Sequence, residues 1–181
     1  MHVVDGKLPG IKLVRPNVFV DDRGFFFESY NAQAFAAVGI DVVFVQDNHS
    51  RSVKGTLRGI HYQSRPGQAK LVRVVVGRTW SVVVDIRPNS SSFGQWEAIE
   101  LDESTREQLF IPVGFGHGFC VLSEFAEVEY KVSALYDAEA ECAINYADPE
   151  LAIAWPVKQP LLSARDQRAE SFAAFRSRVG R

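Results

Sequence analysis

The sequence predicts an all-β fold, a double-sheet jelly roll with a short C-terminal helical extension. Three observations predict it. Between Ile11 and about Pro156 the chain is a succession of short runs rich in Val, Ile, Phe and Tyr, each closed by Gly, Pro, Asp or Ser, which is the punctuation of a sandwich or barrel. Helical patterning is confined to two stretches, too few to connect the strands of a parallel α/β sheet. The chain has 181 residues, enough for one well-filled core and short for two, so residues 1–181 are read as one domain. A jelly roll encloses a ligand-sized interior between two antiparallel sheets. An immunoglobulin-like sandwich is the alternative, and it lacks the expected pair of bridged cysteines.

Taken in order, strands are predicted at 12–20, 25–29, 42–48, 56–63, 70–76, 79–86, 96–101, 108–111, 118–122, 126–132, 143–145 and 153–155. A first helix is predicted over 31–38, stopped by Gly39, and a second over 163–177, with Ser163 and Asp166 as its cap. The stretch from Gly55 to Gly77 reads as a β-hairpin turning at Pro66-Gly67. If the loop is 65–68, Gln63 faces Lys70, and one face carries His61, Gln63 and Lys70 with Val72, Val74 and Val76. A loop one residue longer breaks that parity. Arg58, His61 and Lys70 on otherwise apolar strands are costly to bury unless they meet an anionic ligand. Strict alternation sends Arg58 and His61 to opposite faces, so a shared pocket requires an irregularity at Gly59.

Charge and composition exclude several function classes. With 20 basic and 22 acidic residues interspersed, the net charge of −2 carries no electrostatic footprint for nucleic acid or an anionic membrane. No run approaches a membrane span, and the first ten residues lack the basic start and apolar core of a secretion signal. A cytoplasmic protein is expected. Cys120 and Cys142 lie in apolar stretches without metal-ligand spacing and are read as reduced core thiols.

Pro112-x-Gly114-x-x-His117 matches the second signature of the cupin jelly rolls, and Gly59 with His61-Tyr62-Gln63 is an incomplete first signature whose second histidine is missing. Two histidines without a thiolate fall short of the three protein ligands that a catalytic metal takes, so no metal is expected. In Glu127-Val128-Glu129-Tyr130-Lys131-Val132, alternation turns Tyr130 inward with Val128 and Val132.

Further blocks in fixed order are DRGFF at 22–26, FVQDNHS at 44–50, LRGIHYQ at 57–63, KLVRV at 70–74, VDIR at 84–87, FGxW at 93–96, IPxGFxHGF at 111–119 and WP at 155–156. Together they resemble the dTDP-4-dehydrorhamnose 3,5-epimerase family over roughly residues 10–166. The resemblance implies a cupin-type barrel without metal or other cofactor, acting on a dTDP-4-keto-6-deoxysugar and inverting C3 and C5 through enolates. It implies His61 as base with Asp166 orienting it, Tyr130 as acid, Lys70 at the enolate oxygen and Arg58 at the pyrophosphate. It also implies Gln46, Asp47, Asn48 and His117 around the phosphates and sugars, Tyr136 stacking on thymine, and Glu141 near the ligand. Arg23 and Glu28 are implied to reach the neighbouring subunit's pocket in a homodimer with exchanged N-terminal strands. Leu135 stands where the family usually has a tyrosine, Ala138 where proline is common, and Arg165 where a lysine precedes the dyad aspartate. These departures leave open a relative that inverts one carbon, and a nucleotide-sugar-binding cupin without activity is the alternative from another class.

Overall fold

The computed structural model describes residues 1–180. In chain order the strands are β1 (His2–Asp5), β2 (Lys12–Arg15), β3 (Phe19–Asp21), β4 (Gly24–Phe26), β5 (Gln46–Val53), β6 (Leu57–Gln63) and β7 (Lys70–Val76). They continue as β8 (Arg78–Asp85), β9 (Trp96–Asp102), β10 (Gln108–Ile111), β11 (Phe115–Val121), β12 (Phe125–Val132) and β13 (Glu141–Ala143). Helix α1 (Ala32–Ala37) follows β4, and a 3₁₀ turn (Asp166–Arg168) precedes α2 (Phe172–Val179). A six-stranded sheet runs β1-β2-β10-β7-β12-β5, a five-stranded sheet runs β13-β6-β11-β8-β9, and β3 and β4 pair only with each other. The predicted jelly-roll architecture is what the chain adopts.

The main core is the space between the two sheets. Val72, Val74, Leu109, Ile111 and Val128 from the first sheet meet Val83, Leu101, Phe115, Phe119 and Val121 from the second. Both outer faces are also covered in part. Phe35 of α1 packs with Val14, Leu71 and Phe110 over the first sheet, and Phe172 and Phe175 of α2 pack with Ile60, Tyr62, Val82 and Val84 over the second. That double coverage is why β11 is buried at every position and reads as apolar without alternation.

Several expectations are corrected. The stretch from Gly55 to Gly77 is not a hairpin: β6 pairs with β11 and β13, whereas β7 pairs with β10 and β12. Residues between them cross from one sheet to the other, so His61 and Lys70 face each other across the sandwich rather than sharing one face. Alternation reports which strands exist but not which sheet each joins. The strand predicted at 42–48 begins only at Gln46 and runs on to Val53. Residues 153–155 are not a strand; Ile153 and Trp155 are apolar because they pack beside α2. The C-terminal helix starts at Phe172, where Ser171 accepts from Ala174 N and caps it. Ser163 and Asp166 instead shape the preceding 3₁₀ turn. Cys120 and Cys142 are both free, and among the described residues no helix is long and apolar enough to cross a membrane.

Candidate active site

The site is built where β6 breaks its own alternation. His61 pairs with His117 and Arg58 with Phe119, so β6 carries one residue more than β11 across the same span. That is a bulge at Gly59, the irregularity needed to bring Arg58 and His61 to one cavity. Only glycine fits there. Gly59 has φ +121°, and a Cβ would lie 2.3 Å from the Cα of Gly118.

Arg58, His61, Lys70, His117, Tyr130, Glu141 and Arg165 line a cavity of about 190 Å³ together with Ser50 and Phe119. It continues into a smaller space of about 90 Å³ that adds Gln46, Asn48, Tyr62, Gln63, Gln68 and Tyr136. The two sheets contribute opposite walls: His61 and His117 stand on the five-stranded sheet, Lys70 and Tyr130 on the six-stranded one.

His61 Nε2 lies 2.5 Å from Asp166 Oδ1, and Ser163 Oγ donates to Asp166 Oδ2 at 2.7 Å. Burial works to raise the Asp166 pKa, but the hydrogen bonds from His61 and Ser163 outweigh it and hold the carboxyl below its ordinary value. An ionised Asp166 accepts from Nε2–H, which fixes the tautomer and leaves Nδ1 with its lone pair. His61 is therefore oriented and equipped to take a proton.

Lys70 is 8% exposed, and its Nζ donates to the His61 carbonyl at 3.4 Å. Burial lowers its pKa to about 8, with Glu141 opposing that shift. The lysine is still mainly cationic at neutral pH, and no fixed carboxylate is ion-paired with it among the described residues. Burial, then Lys70 and His61, push the His117 pKa well below its ordinary value. His117 is a neutral imidazole, and its Nε2 is buried without a partner. Burial and Glu141 raise the Tyr130 pKa, so the phenol keeps its proton. Arg58 is steadied by Nε donating to Ser52 Oγ at 3.0 Å, and Arg165 is paired with Glu141 at 2.5 Å.

Three of the expected residues lie elsewhere. Alternation on β5 turns Gln46 and Asn48 inward, hydrogen-bonded to each other at 2.8 Å, and turns Asp47 outward onto Lys131 at 2.9 Å. Asp47 does not line the cavity. Arg23 is on the β3–β4 turn, ion-paired with Asp21 at 2.6 Å. Glu28 lines a separate cavity of about 310 Å³ with Phe19 and Phe26. Ser52, which braces Arg58, is absent from the sequence-based expectations, and Ser163, expected there as a helix cap, instead braces Asp166. Serine at 50 and 52 continues the inward polar series of Gln46 and Asn48, a signal that marks a strand facing a cavity. Among the described residues no group of three or more His, Cys, Asp or Glu is placed to hold a metal ion.

Comparison with known proteins agrees with this geometry. The family model described as dTDP-4-dehydrorhamnose 3,5-epimerase matches residues 5–174. A dTDP-4-dehydrorhamnose 3,5-epimerase of Pseudomonas aeruginosa is 52% identical over 168 residues, 92% of this chain and 93% of that protein. A dTDP-4-dehydrorhamnose 3-epimerase of Streptomyces niveus is 42% identical over 93% of this chain and 83% of that protein. The crystal structure of a dTDP-6-deoxy-D-glucose-3,5-epimerase from Legionella pneumophila, in complex with dTDP-4-keto-L-rhamnose, superposes with a TM-score of 0.91 at 45% identity, covering 94% of this chain and 92% of that one. The bulged strand, its histidine and the cavity it opens into therefore belong to a member of the dTDP-4-dehydrorhamnose 3,5-epimerase family, an isomerase family of cupin type.

Proposed function

We propose that this protein converts dTDP-4-dehydro-6-deoxy-D-glucose to dTDP-4-dehydro-L-rhamnose by inverting C3 and C5. The observation that carries the reading is one cavity holding an oriented histidine on one wall and a protonated phenol with a buried lysine on the other. The C4 ketone acidifies the protons on both neighbouring carbons, so the chemistry needs a base, an acid on the opposite face and a cation near the oxygen. His61 Nδ1 takes the proton from C3 or C5, and the C–H electron pair moves into the ring as O4 becomes an enolate. Lys70 stabilises that oxygen. As the enolate collapses, Tyr130 delivers its proton to the same carbon from the other face, and solvent restores both side chains. Because the substrate supplies its own electron sink, the reading draws on no metal or other cofactor.

Arg58 suits the pyrophosphate, since a guanidinium fork meets paired phosphate oxygens, and Gln46, Asn48 and His117 stand along the same cavity. Tyr136, 55% exposed at the mouth, is assigned to the thymine. Arg23 and Glu28 are assigned to a neighbouring subunit's pocket in a homodimer. The support is the hairpin that carries Arg23 and leads to Glu28: Phe19, Val20, Phe25 and Phe26 are all more than half exposed, an apolar patch of the kind that marks an interface. The free cysteines fit a reducing, cytoplasmic setting, and residues 1–181 are taken to act as one domain.

Proton NMR of the purified protein with dTDP-4-dehydro-6-deoxy-D-glucose in deuterated water, chelator present, tests the reading. Deuterium at both C3 and C5 with the L-rhamno product is expected. Exchange at only one carbon assigns the protein to single epimerisation, as named for the Streptomyces niveus relative, and no exchange overturns the catalytic reading.

A further inference from the structure

The middle of the segment that carries Tyr136 is held by three glutamines; backbone bonds tie only its ends, Ser133 N donating to the Ala69 carbonyl and Ser64 N to the Ala140 carbonyl. Residues 133–140 lead from the end of β12 in the first sheet to the start of β13 in the second. Gln46 Oε1 accepts from Tyr136 N at 2.9 Å. Gln68 Nε2 donates to the Ala134 carbonyl at 2.8 Å. Gln63 makes two bonds that straddle Tyr136: its Nε2 donates to the Leu135 carbonyl at 3.2 Å, and its Oε1 accepts from Asp137 N at 3.1 Å. One buried amide thus uses both its donor and its acceptor on the peptides flanking a single residue, as a neighbouring strand would.

We propose that Gln63 is a positioning residue, which fixes the backbone on both sides of Tyr136 and so sets affinity for the nucleotide half of the substrate. The inference rests on the assignment of Tyr136 to the base. Gln63 is 7% exposed on β6, two residues beyond His61, so its amide is held by the same strand that holds the base. Tyr136 is 55% exposed, with Glu141 beside its hydroxyl, so the ring is held at its tip by that carboxylate and at its root by the backbone that the amides set. The arrangement ties the recognition segment to the strand of the dyad, so nucleotide and sugar are presented in one register. It also gives a use to the position where the first cupin signature lacks its second histidine: Gln63 serves the loop rather than a metal.

The test is a double-mutant cycle read by calorimetric titration with dTDP and by steady-state kinetics. Gln63→Met keeps the length of the side chain and removes both bonds, and is expected to raise the Kd for dTDP and the KM about tenfold, with kcat within about twofold, since two hydrogen bonds of ordinary strength are lost. Tyr136→Ala is expected to weaken dTDP by a similar factor. The double variant is expected to bind no more weakly than Tyr136→Ala alone, because Gln63 acts only through Tyr136. An unchanged Kd in Gln63→Met, additive losses, or a fall in kcat with KM unchanged overturns the proposal while leaving the Tyr136 assignment standing. If Tyr136→Ala binds dTDP as the parent does, the Tyr136 assignment fails and takes the proposal with it. Should Gln63→Met not fold, Gln68→Met removes one bond from the same segment: about a threefold rise in Kd that vanishes in the Tyr136→Ala background supports the clasp, and no rise or an additive one overturns it.

Discussion

Asp166 is 2% exposed and both of its carboxylate oxygens are partnered within the chain, whereas Phe19, Val20, Phe25 and Phe26 on the β3–β4 hairpin are 57% to 77% exposed. The first region is complete by itself. The strap before α2 is pinned to β6 by Leu161, whose backbone exchanges hydrogen bonds with Gly55 and Leu57, and by the 3₁₀ turn that seats Asp166. The hairpin pairs only with itself and leaves large apolar side chains in water, which costs about 25 cal/mol for each Å² that a partner would cover. Asp166 is satisfied by the chain's own groups, whereas the unsatisfied apolar surface carries the residues assigned to another subunit's site.

The sharpest way to break this contrast is at the complete region. His61→Ala is expected to lower kcat by roughly 10²–10⁴ and to lower the melting temperature as well, because buried Asp166 loses one of its hydrogen-bond partners; steady-state assays with a thermal melt check both. Lys70→Met is expected to lower kcat by about 10² and to make the protein more stable. In the unfolded chain the lysine titrates near 10.5 and in the folded protein at about 8, so the unfolded state holds more protons between those values and stability rises with pH across that window. Below pH 8 the buried charge costs the folded state about 3 kcal/mol, which methionine removes. Denaturant titrations at pH 7 and pH 10 should show the two proteins converging as pH rises.

At the incomplete region, Phe25→Ser with Phe26→Ser is expected to convert a dimer to a monomer in sedimentation, with kcat/KM down about tenfold as Arg23 and Glu28 lose their place. A monomeric parent would remove the contrast altogether. The smallest effect is in the pH profile of the unaltered protein. As Lys70 loses its proton above about 8, kcat/KM should decline by about half near that pH and tenfold one unit higher, and Lys70→Met should lack that limb.

Strands that bury apolar side chains on at least one face were legible in the sequence, and so was the bulge at Gly59, because Arg58 and His61 cannot share a wall without it. What hid was set by tertiary context. The strand expected at 42–48 is displaced from the observed β5 because the inner face of β5 is Gln46, Asn48, Ser50 and Ser52 and its outer face Asp47, His49 and Arg51; a strand that lines a cavity at a sheet edge has no apolar side to reveal it. Alternation alone would have separated Asp47 from Gln46 and Asn48. The supposed hairpin failed because a turn at Pro66-Gly67 fits a crossing between sheets as well as a return in one. The candidate residues inside motifs were legible, while the paired bonds of Gln63 join segments 72 and 74 residues apart; Ser52 and Ser163 brace near neighbours in the chain, but a single serine carries no mark of that use.

Base and acid acting from opposite walls can be separated by deuterium exchange with Tyr130→Phe. Incubated with dTDP-4-dehydro-6-deoxy-D-glucose in deuterated water, this variant should admit deuterium into the substrate through His61 while the configuration at C3 and C5 is retained, since the proton donor on the other face is gone. Inversion at the parent's rate in Tyr130→Phe, or exchange that persists when His61 is replaced by alanine, would contradict the two-wall account.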